Sequence, residues 1–129
     1  MKNRIVPVCC ALFVLVAVSV YAEYPTIPWQ IDDIGDYFEG YYTGELVDGI
    51  PHGHGRWECI WTTGTYIGEW EEGKRSGLGS LYAWAPEQGG FLQYEGEWTD
   101  CMQHGEGTSY DADGSVLFSG RWVRGQPEG

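Results

Sequence analysis

Basic side chains are scarce in this sequence, and their scarcity excludes one large class of partner. The 129 residues include 7 Lys and Arg against 19 Asp and Glu, which gives a net charge of −12 at pH 7. A surface of this sign repels phosphate backbones and anionic lipid headgroups at moderate salt. Nucleic acid is therefore excluded as a partner, and an anionic membrane is disfavoured.

Cysteine is also scarce, so a dense disulfide scaffold is not expected. The chain has 4 cysteines, of which only Cys59 and Cys101 lie outside the N-terminal apolar stretch. The repeat described below places them two units apart, which is more than the roughly 7 Å that the Cα atoms of a disulfide allow. We predict that they do not bond within one monomer.

The sequence contains a single long apolar run, and it lies at the N-terminus. Lys2 and Arg4 come first, residues 5–20 are apolar and uncharged, and Val20-Tyr21-Ala22 ends the stretch. This layout is typical of a secretory signal peptide at residues 1–22, and it predicts a secreted or periplasmic protein. An uncleaved membrane anchor is the alternative. Cleavage would leave five basic and nineteen acidic side chains, a charge of −14.

A short phrase recurs four times, with glycines and aromatics in fixed places. The copies start 24, 28 and 24 residues apart. They read YTGELVDGIPHGHG from Tyr42, YIGEWEEGKRSGLG from Tyr66, YEGEWTDCMQHGEG from Tyr94 and a truncated FSGRWVRGQPEG from Phe118. A doubled catalytic site would not need four copies at near-constant spacing. The phrase is therefore interpreted as a structural unit that stacks.

Each copy is predicted to form a β-hairpin. Residues two apart share one face of a strand, so the aromatic and glycine positions point to the same side. Stacked hairpins can then bury a continuous aromatic row that holds a thin sheet together. The predicted packing positions are Tyr42, Gly44, Tyr66, Gly68, Trp70, Tyr94, Gly96, Trp98, Phe118, Gly120 and Trp122. The predicted turn positions, where glycine permits positive φ, are Gly49, Gly73, Gly114 and Gly125.

The pattern Y-x-G-x-W, followed by a turn glycine and then G-x-G, resembles the MORN repeat. The resemblance covers residues 42–129, which would form an array of four units. It implies an all-β fold, in which stacked β-hairpins build an elongated single-layer antiparallel meander or solenoid. The sequence departs from the pattern at Leu46 in the first copy, at Cys101 in the third, and at Phe118 and Arg121 in the fourth.

Two segments interrupt or precede the repeats. Residues 23–41 are predicted to form an extended lead-in that caps the first hairpin, because solenoid ends need a cap. A loose linker is the alternative. The stretch AWAPEQGGF accounts for the 28-residue interval between the second and third copies. It predicts that one hairpin is extended by about four residues, with a longer loop between Tyr82 and Tyr94.

Histidines and carboxylates recur with the repeat, but none forms a convincing active or metal site. His52 and His104 lie two units apart, roughly 20 Å at strand spacings near 4.8 Å, and cannot share a metal ion. His52 and His54 share a strand face without an evident third ligand.

Glu45, Glu69 and Glu97, with Arg121 in the fourth copy, are interpreted as a solvated face; acid–base carboxylate pairs are the alternative. The DADG sequence at residues 111–114 begins like a calcium loop. It lacks the later ligands, so a turn is the better interpretation.

These observations predict an exported, non-enzymatic protein-interaction or scaffold module with no cofactor. The resemblance implies the same, because MORN arrays serve as scaffolds and as partner-binding or membrane-associated segments. The expected partner is another protein of unknown identity. Self-association through the open edges of the array is a further expectation. A membrane-lipid surface and a glycan-binding surface formed by exposed tryptophans are the alternatives.

Overall fold

In the part of the chain that the structure describes, nine β-strands lie side by side in chain order. The computed structural model describes residues 24–33, 36–61 and 64–129. The strands are β1 (Thr26–Asp33), β2 (Asp36–Val47), β3 (Ile50–Cys59), β4 (Thr65–Glu71), β5 (Lys74–Ala85), β6 (Gly89–Thr99), β7 (Met102–Tyr110), β8 (Val116–Val123) and β9 (Gln126–Pro127). Each strand pairs antiparallel with its chain neighbours in one open sheet. The prediction of an all-β fold built from stacked hairpins is confirmed.

The predicted leader, residues 1–22, lies outside the described residues, so its cleavage stays a prediction. The part of the chain that the structure describes contains no helix with the length and apolarity that a membrane crossing requires.

Large aromatic rings on one side of the sheet form its core. The cross-strand row that runs from Tyr42 through Trp57, Tyr66 and Leu81 to Tyr94 lies on this side. The next row toward the turns includes the buried Trp70, Trp98 and Trp122. The opposite side carries Thr43, Arg56, Ile67, Ser80 and Glu95, which alternate with the core residues along each strand. The sheet therefore has one apolar and one mostly polar side.

In each of the four copies, a tight turn of the same type joins the two strands of the hairpin. Gly49, Gly73 and Gly125 have φ angles of 78°, 84° and 83°, and the residue before each also has positive φ. Two successive residues with positive φ form a type I′ turn, whose twist matches that of the flanking strands. Cys101 holds the same place in the third copy at φ 69°. Gly114, with φ 91°, lies in the separate turn between β7 and β8.

The lead-in joins the sheet as a strand. Residues 26–33 pair with β2, and β2 begins at Asp36, before the expected start of the array at residue 42. The Trp29 indole N–H donates a hydrogen bond of 2.8 Å to the Gly73 carbonyl oxygen, 44 residues away. The Trp57 indole N–H donates in turn to the Trp29 carbonyl oxygen at 3.0 Å. β1 is thus tied to the turn between β4 and β5 as well as to its neighbour.

The four extra residues of the long interval lengthen a hairpin and do not form a long loop. Tyr82 pairs with Leu92, and pairing continues to Ala85 opposite Gly89. β4 begins opposite Tyr82, and the pairing of β6 with β7 ends at Tyr94 opposite Ser109, so residues 83–92 extend beyond the pairing with both neighbouring strands. We call residues 82–92 the arm. The longer loop expected between Tyr82 and Tyr94 is therefore mostly strand, because short apolar stretches on both sides of the turn at residues 86–88 permit continued pairing.

Candidate functional site: the aromatic row and the groove beside the arm

Buried tyrosines and tryptophans alternate along the core. Tyr66 is fully buried; its ring centroid lies 5.4 Å from that of Trp70 in its own copy and 5.1 Å from that of Trp98 in the next. Both pairs meet edge to face, the geometry that the ring quadrupole favours. The same pattern joins Tyr42 to Trp70, Tyr94 to Trp98 and Trp122, and Phe118 to Trp122. The structure thus brings the aromatic packing positions into one continuous row.

The polar atoms of these rings have partners in the backbone. The Tyr66 hydroxyl donates to the Glu69 carbonyl oxygen at 2.8 Å, and the Trp98 indole N–H donates to the Gly79 carbonyl oxygen at 3.1 Å. Equivalent tyrosine bonds occur in the first and third copies, and equivalent tryptophan bonds involve Trp70 and Trp122. Phe118 lacks the hydroxyl. Satisfied polar atoms allow these amphipathic rings to be fully buried.

Pairs of glycines leave space for the tyrosine rings. Gly68 lies opposite Gly79, and a Cβ added to Gly68 would come within 2.5 Å of the Gly79 Cα atom. Gly44 and Gly96 lie opposite Gly55 and Gly107 in the same way. Gly120 lies opposite Gly107 on the other side. The packing glycines therefore act in cross-strand pairs, and the second member of each pair is the last glycine of the G-x-G part of the repeat pattern.

Burial keeps the core tyrosines neutral, which predicts loss of stability at alkaline pH. Desolvation raises the pKa of Tyr66 far above its ordinary value and raises that of Tyr94 to about 12. Because the folded-state pKa values exceed the unfolded value of about 10, this stability should be complete below pH 10 and fall as pH rises beyond it. Urea unfolding from about pH 8 to about pH 12 measures the decline.

Tyr94→Phe is the matched variant for this prediction, since Phe118 occupies the equivalent place in the fourth copy. It removes one titrating group and should make the decline shallower. A wild-type stability that stays constant up to about pH 12 would contradict the prediction.

The repeated glutamates have a structural use within their own hairpins. A carboxylate oxygen of Glu69 accepts the Leu78 amide at 2.8 Å, and Glu45 and Glu97 accept the amides of His54 and Glu106 at 2.8 and 2.9 Å. Each bond spans nine residues. Arg121, at the fourth position, lies 3.6 Å from a carboxylate oxygen of Glu128. Their recurrence is explained by hairpin geometry, and the acid–base alternative has no support from this arrangement.

Two of the three histidines connect successive turns. His52 Nδ1 accepts the Glu72 amide and His104 Nδ1 accepts the Arg124 amide, both at 3.2 Å and both 20 residues apart. His54 Nδ1 instead lies 3.9 Å from a Glu45 carboxylate oxygen. Among residues 24–33, 36–61 and 64–129, no three His, Cys, Asp or Glu side chains are grouped so that they could hold a metal ion.

The DADG segment forms a turn that satisfies its own carboxylates. Asp111 Oδ1 accepts the amides of Asp113 and Ser115, and Asp113 Oδ1 accepts the Ser115 amide at 2.8 Å. Hydrogen bonding to the Asp111 side chain, and then to Ser115, holds the pKa of Asp113 down to about 2. This network agrees with the interpretation as a turn.

Arg75 is a buried charge that the sequence analysis missed. It is 3% exposed, its guanidinium carbon lies 4.6 Å from the Trp98 ring centroid, and its Nη2 donates to the Cys101 carbonyl oxygen at 2.7 Å. The Cys101 amide donates back to the Arg75 carbonyl oxygen at 3.0 Å. Cys59 and Cys101 are both free thiols. Cys101, which replaces the turn glycine of the repeat, therefore contacts a buried arginine. This departure from the repeat pattern was the signal in the sequence that could have pointed to Arg75.

A groove of about 320 Å³ opens between the arm and the lead-in. We call it the arm groove. Its floor includes Ile31 and Trp57, each 3% exposed, whereas Trp84 at its rim is 53% exposed. Arg75 is the single charged residue among those that line it. The apolar lining residues on which the argument depends are Ile31, Phe38, Trp57, Leu81, Ala83 and Trp84.

The arm groove has the character of a binding site, although sequence reasoning did not find it. Binding sites are concave and mostly apolar with few polar groups, and about 300 Å³ is the lower end of their usual volume. A larger cleft of about 510 Å³ lies near the turns, but Asp32, Glu72, Lys74, Asp100 and Arg124 line it. The arm groove is therefore the better candidate for an apolar contact. Its residues come from β1, β2, β3, β5 and β6 and from Gly64 just before β4, which explains why no local motif marks it.

Comparison with known proteins agrees with the repeat geometry. A family model described as the MORN repeat matches residues 42–65, 66–83, 94–116 and 118–129, more than half of the chain. Over 70 residues the chain is 33% identical to MORN repeat-containing protein 3 of Xenopus laevis. This match covers 54% of the chain and 29% of that relative, so the chain spans under a third of the relative's length.

Proposed function

Because the chain belongs to the MORN-repeat family, we propose that it is an exported, non-enzymatic interaction module that binds another protein through the arm groove. The observation that supports this proposal is an apolar groove whose floor is buried and whose rim is exposed aromatic surface. Tryptophan and tyrosine are the residues that most often dominate binding energy at protein interfaces. The predicted leader supports export.

The chemistry of the recurring polar residues supports a role without catalysis. The glutamates bind backbone amides within their hairpins, and two of the histidines bind the turns of the following hairpins. Paired general acids and bases need different environments and a shared substrate position. The glutamates and histidines of the described residues are not arranged in this way. The described residues instead provide an apolar surface for binding.

Affinity capture with the purified protein tests this function. We expect at least one host envelope or secreted protein to remain bound at both low and high salt, because an apolar contact is insensitive to screening. Ala83→Glu, which places a charge in the arm groove, should abolish capture. Leu117→Glu is the matched control, because Leu117 is 64% exposed on β8 and does not line the groove. Mass spectrometry of the same preparation should show Glu23 as the first residue.

An empty capture, or partners lost in modest salt, would contradict the proposed function. Equal loss of capture by Ala83→Glu and Leu117→Glu would contradict the assignment to the arm groove. Flotation with neutral and anionic vesicles then tests the lipid alternative, for which the strong negative charge predicts preference for neutral vesicles. A first residue other than Glu23 would contradict cleavage after Ala22.

A further inference from the structure

The arm presents aromatic surface that the sheet does not cover. Trp84 is 53% exposed and Tyr82 is 37% exposed. β4 starts opposite Tyr82, so in the described part of the chain no strand pairs with residues 83–85 on that side. An exposed strand edge beside exposed aromatic side chains is a site where another chain adds. The arm can therefore offer a partner both apolar side chains and the backbone hydrogen-bonding groups of a strand edge.

Charge distribution selects the kind of partner. Residues 76–94 contain a single charged side chain, Glu87, although 20% of the whole chain is charged. Two copies of a chain with charge −12 repel one another across most of their surfaces. The arm is the part of the repeat array where a second copy can approach with little repulsion. Interface centres are likewise depleted in charged residues and enriched in aromatics.

The arm can also pair with itself. Tyr82 and Trp84 alternate with Leu81 and Ala83 along β5, so their rings lie on the side of the sheet that carries Ser80. Antiparallel pairing of residues 83–85 with the same residues of another copy is two-fold symmetric about Trp84, and a two-fold interface uses the same patch of both copies. The two exposed Trp84 rings would then lie opposite one another on the same side of the sheet.

We propose that two copies of this chain pair arm to arm around Trp84, through the strand edge of residues 83–85. This inference goes beyond the proposed function, because it uses the edge of the arm and leaves the arm groove to the other protein. The dimer should strengthen as salt rises, since screening reduces repulsion between the acidic surfaces while the apolar contact persists. Association should be weak, because a contact limited to the arm falls below the standard interface size.

Sedimentation velocity of the purified protein, from about 1 to about 200 µM, tests the dimer, with mass spectrometry to record the state of the leader. We expect conversion from monomer to dimer across this range. Trp84→Glu should raise the dimer dissociation constant at least about tenfold, because it removes the indole and opposes two carboxylates at the axis. Leu117→Glu, the exposed control on β8, should dimerise like the wild type.

Hydrogen exchange on the wild-type protein gives a second measurement that does not depend on a variant. Exchange at the amides of residues 83–85 should slow as concentration rises, whereas exchange at residues 116–120 should not change. A monomer at every concentration, a Trp84→Glu variant that dimerises like the wild type, or equal loss in Leu117→Glu would overturn the proposal.

The outcomes separate the two proposals. A monomeric wild type that still captures a foreign protein, sensitive to Ala83→Glu, would overturn self-association and leave the proposed function in place. Arm-dependent dimers that capture no foreign protein would support self-association and contradict the binding of a foreign partner.

Discussion

Replacing Gly79 with alanine should unfold most of the sheet or cost about 3–5 kcal/mol, the range for losing a large aromatic from a core. A Cβ at this position would lie 2.3 Å from the Tyr66 hydroxyl oxygen and 2.4 Å from its Cε2 atom. These distances are far inside van der Waals contact. The Tyr66 ring would have to leave a site in which it is fully buried between Trp70 and Trp98. Urea unfolding followed by tryptophan fluorescence measures the loss.

Gly90→Ala is the matched control, because it adds the same methyl group to a glycine of the arm. The nearest atom to its added Cβ is the Ala83 carbonyl oxygen at 3.9 Å. We expect a change within about 0.5 kcal/mol, as for surface substitutions. The double variant Gly79→Ala with Tyr66→Ala should cost less than the sum of its parts, since the obstructing ring is already absent. Equal effects of Gly79→Ala and Gly90→Ala would refute the steric explanation.

Trp98→Ala should also cost about 3–5 kcal/mol. Trp98 is 3% exposed and contacts the rings of Tyr66 and Tyr94, so it joins two successive copies. Its removal would also take away the ring over which the Arg75 guanidinium lies at 4.6 Å. The Gly79 carbonyl oxygen would lose a donor as well. Because the array is held together by contacts between neighbouring copies, loss of this contact should lower the cooperativity of unfolding as well as the midpoint.

Trp84→Ala makes the same chemical change on the exposed arm and serves as the control. Measured at low concentration, where the chain is monomeric, it should cost less than about 1 kcal/mol because Trp84 is 53% exposed. Similar losses for Trp98→Ala and Trp84→Ala would show that the aromatic row is not the main source of stability. Trp98→Phe should fall between them, because it keeps a ring but loses the bond to Gly79.

Much of the repeat geometry could be predicted because its determinants are local. The alternation within Tyr66-Ile67-Gly68-Glu69-Trp70 indicates which residues share a face, and Gly73 marks the turn. The roles of Glu69 and His52 could not be predicted in this way. Their partners, the amides of Leu78 and Glu72, lie nine and 20 residues away, and the bonds depend on the register and stacking of the hairpins.

The candidate site was the least accessible to sequence reasoning. AWAPEQGGF was recognised as the extension of one hairpin, but the longer loop expected with it is mostly paired strand, from Tyr82 opposite Leu92 to Ala85 opposite Gly89. Ile31 belongs to a lead-in whose contact with the arm groove has no sequence signature. The hydrogen bond between Trp29 and Gly73 shows the same limitation, since it joins residues 44 apart.

The amino-acid sequence was therefore sufficient for the class of fold, the number of copies and the residues that pack between them, because periodic side-chain alternation and turn chemistry act within a few residues. Tertiary structure decided which polar groups are engaged, how the lead-in joins the sheet and where an apolar groove opens. The groove arises where β1, β2, β3 and the arm meet, and the polar contacts arise within and between the hairpins; both depend on strand register. A repeat specifies its own stacking, but a groove between unlike segments exists only once all of them are in place.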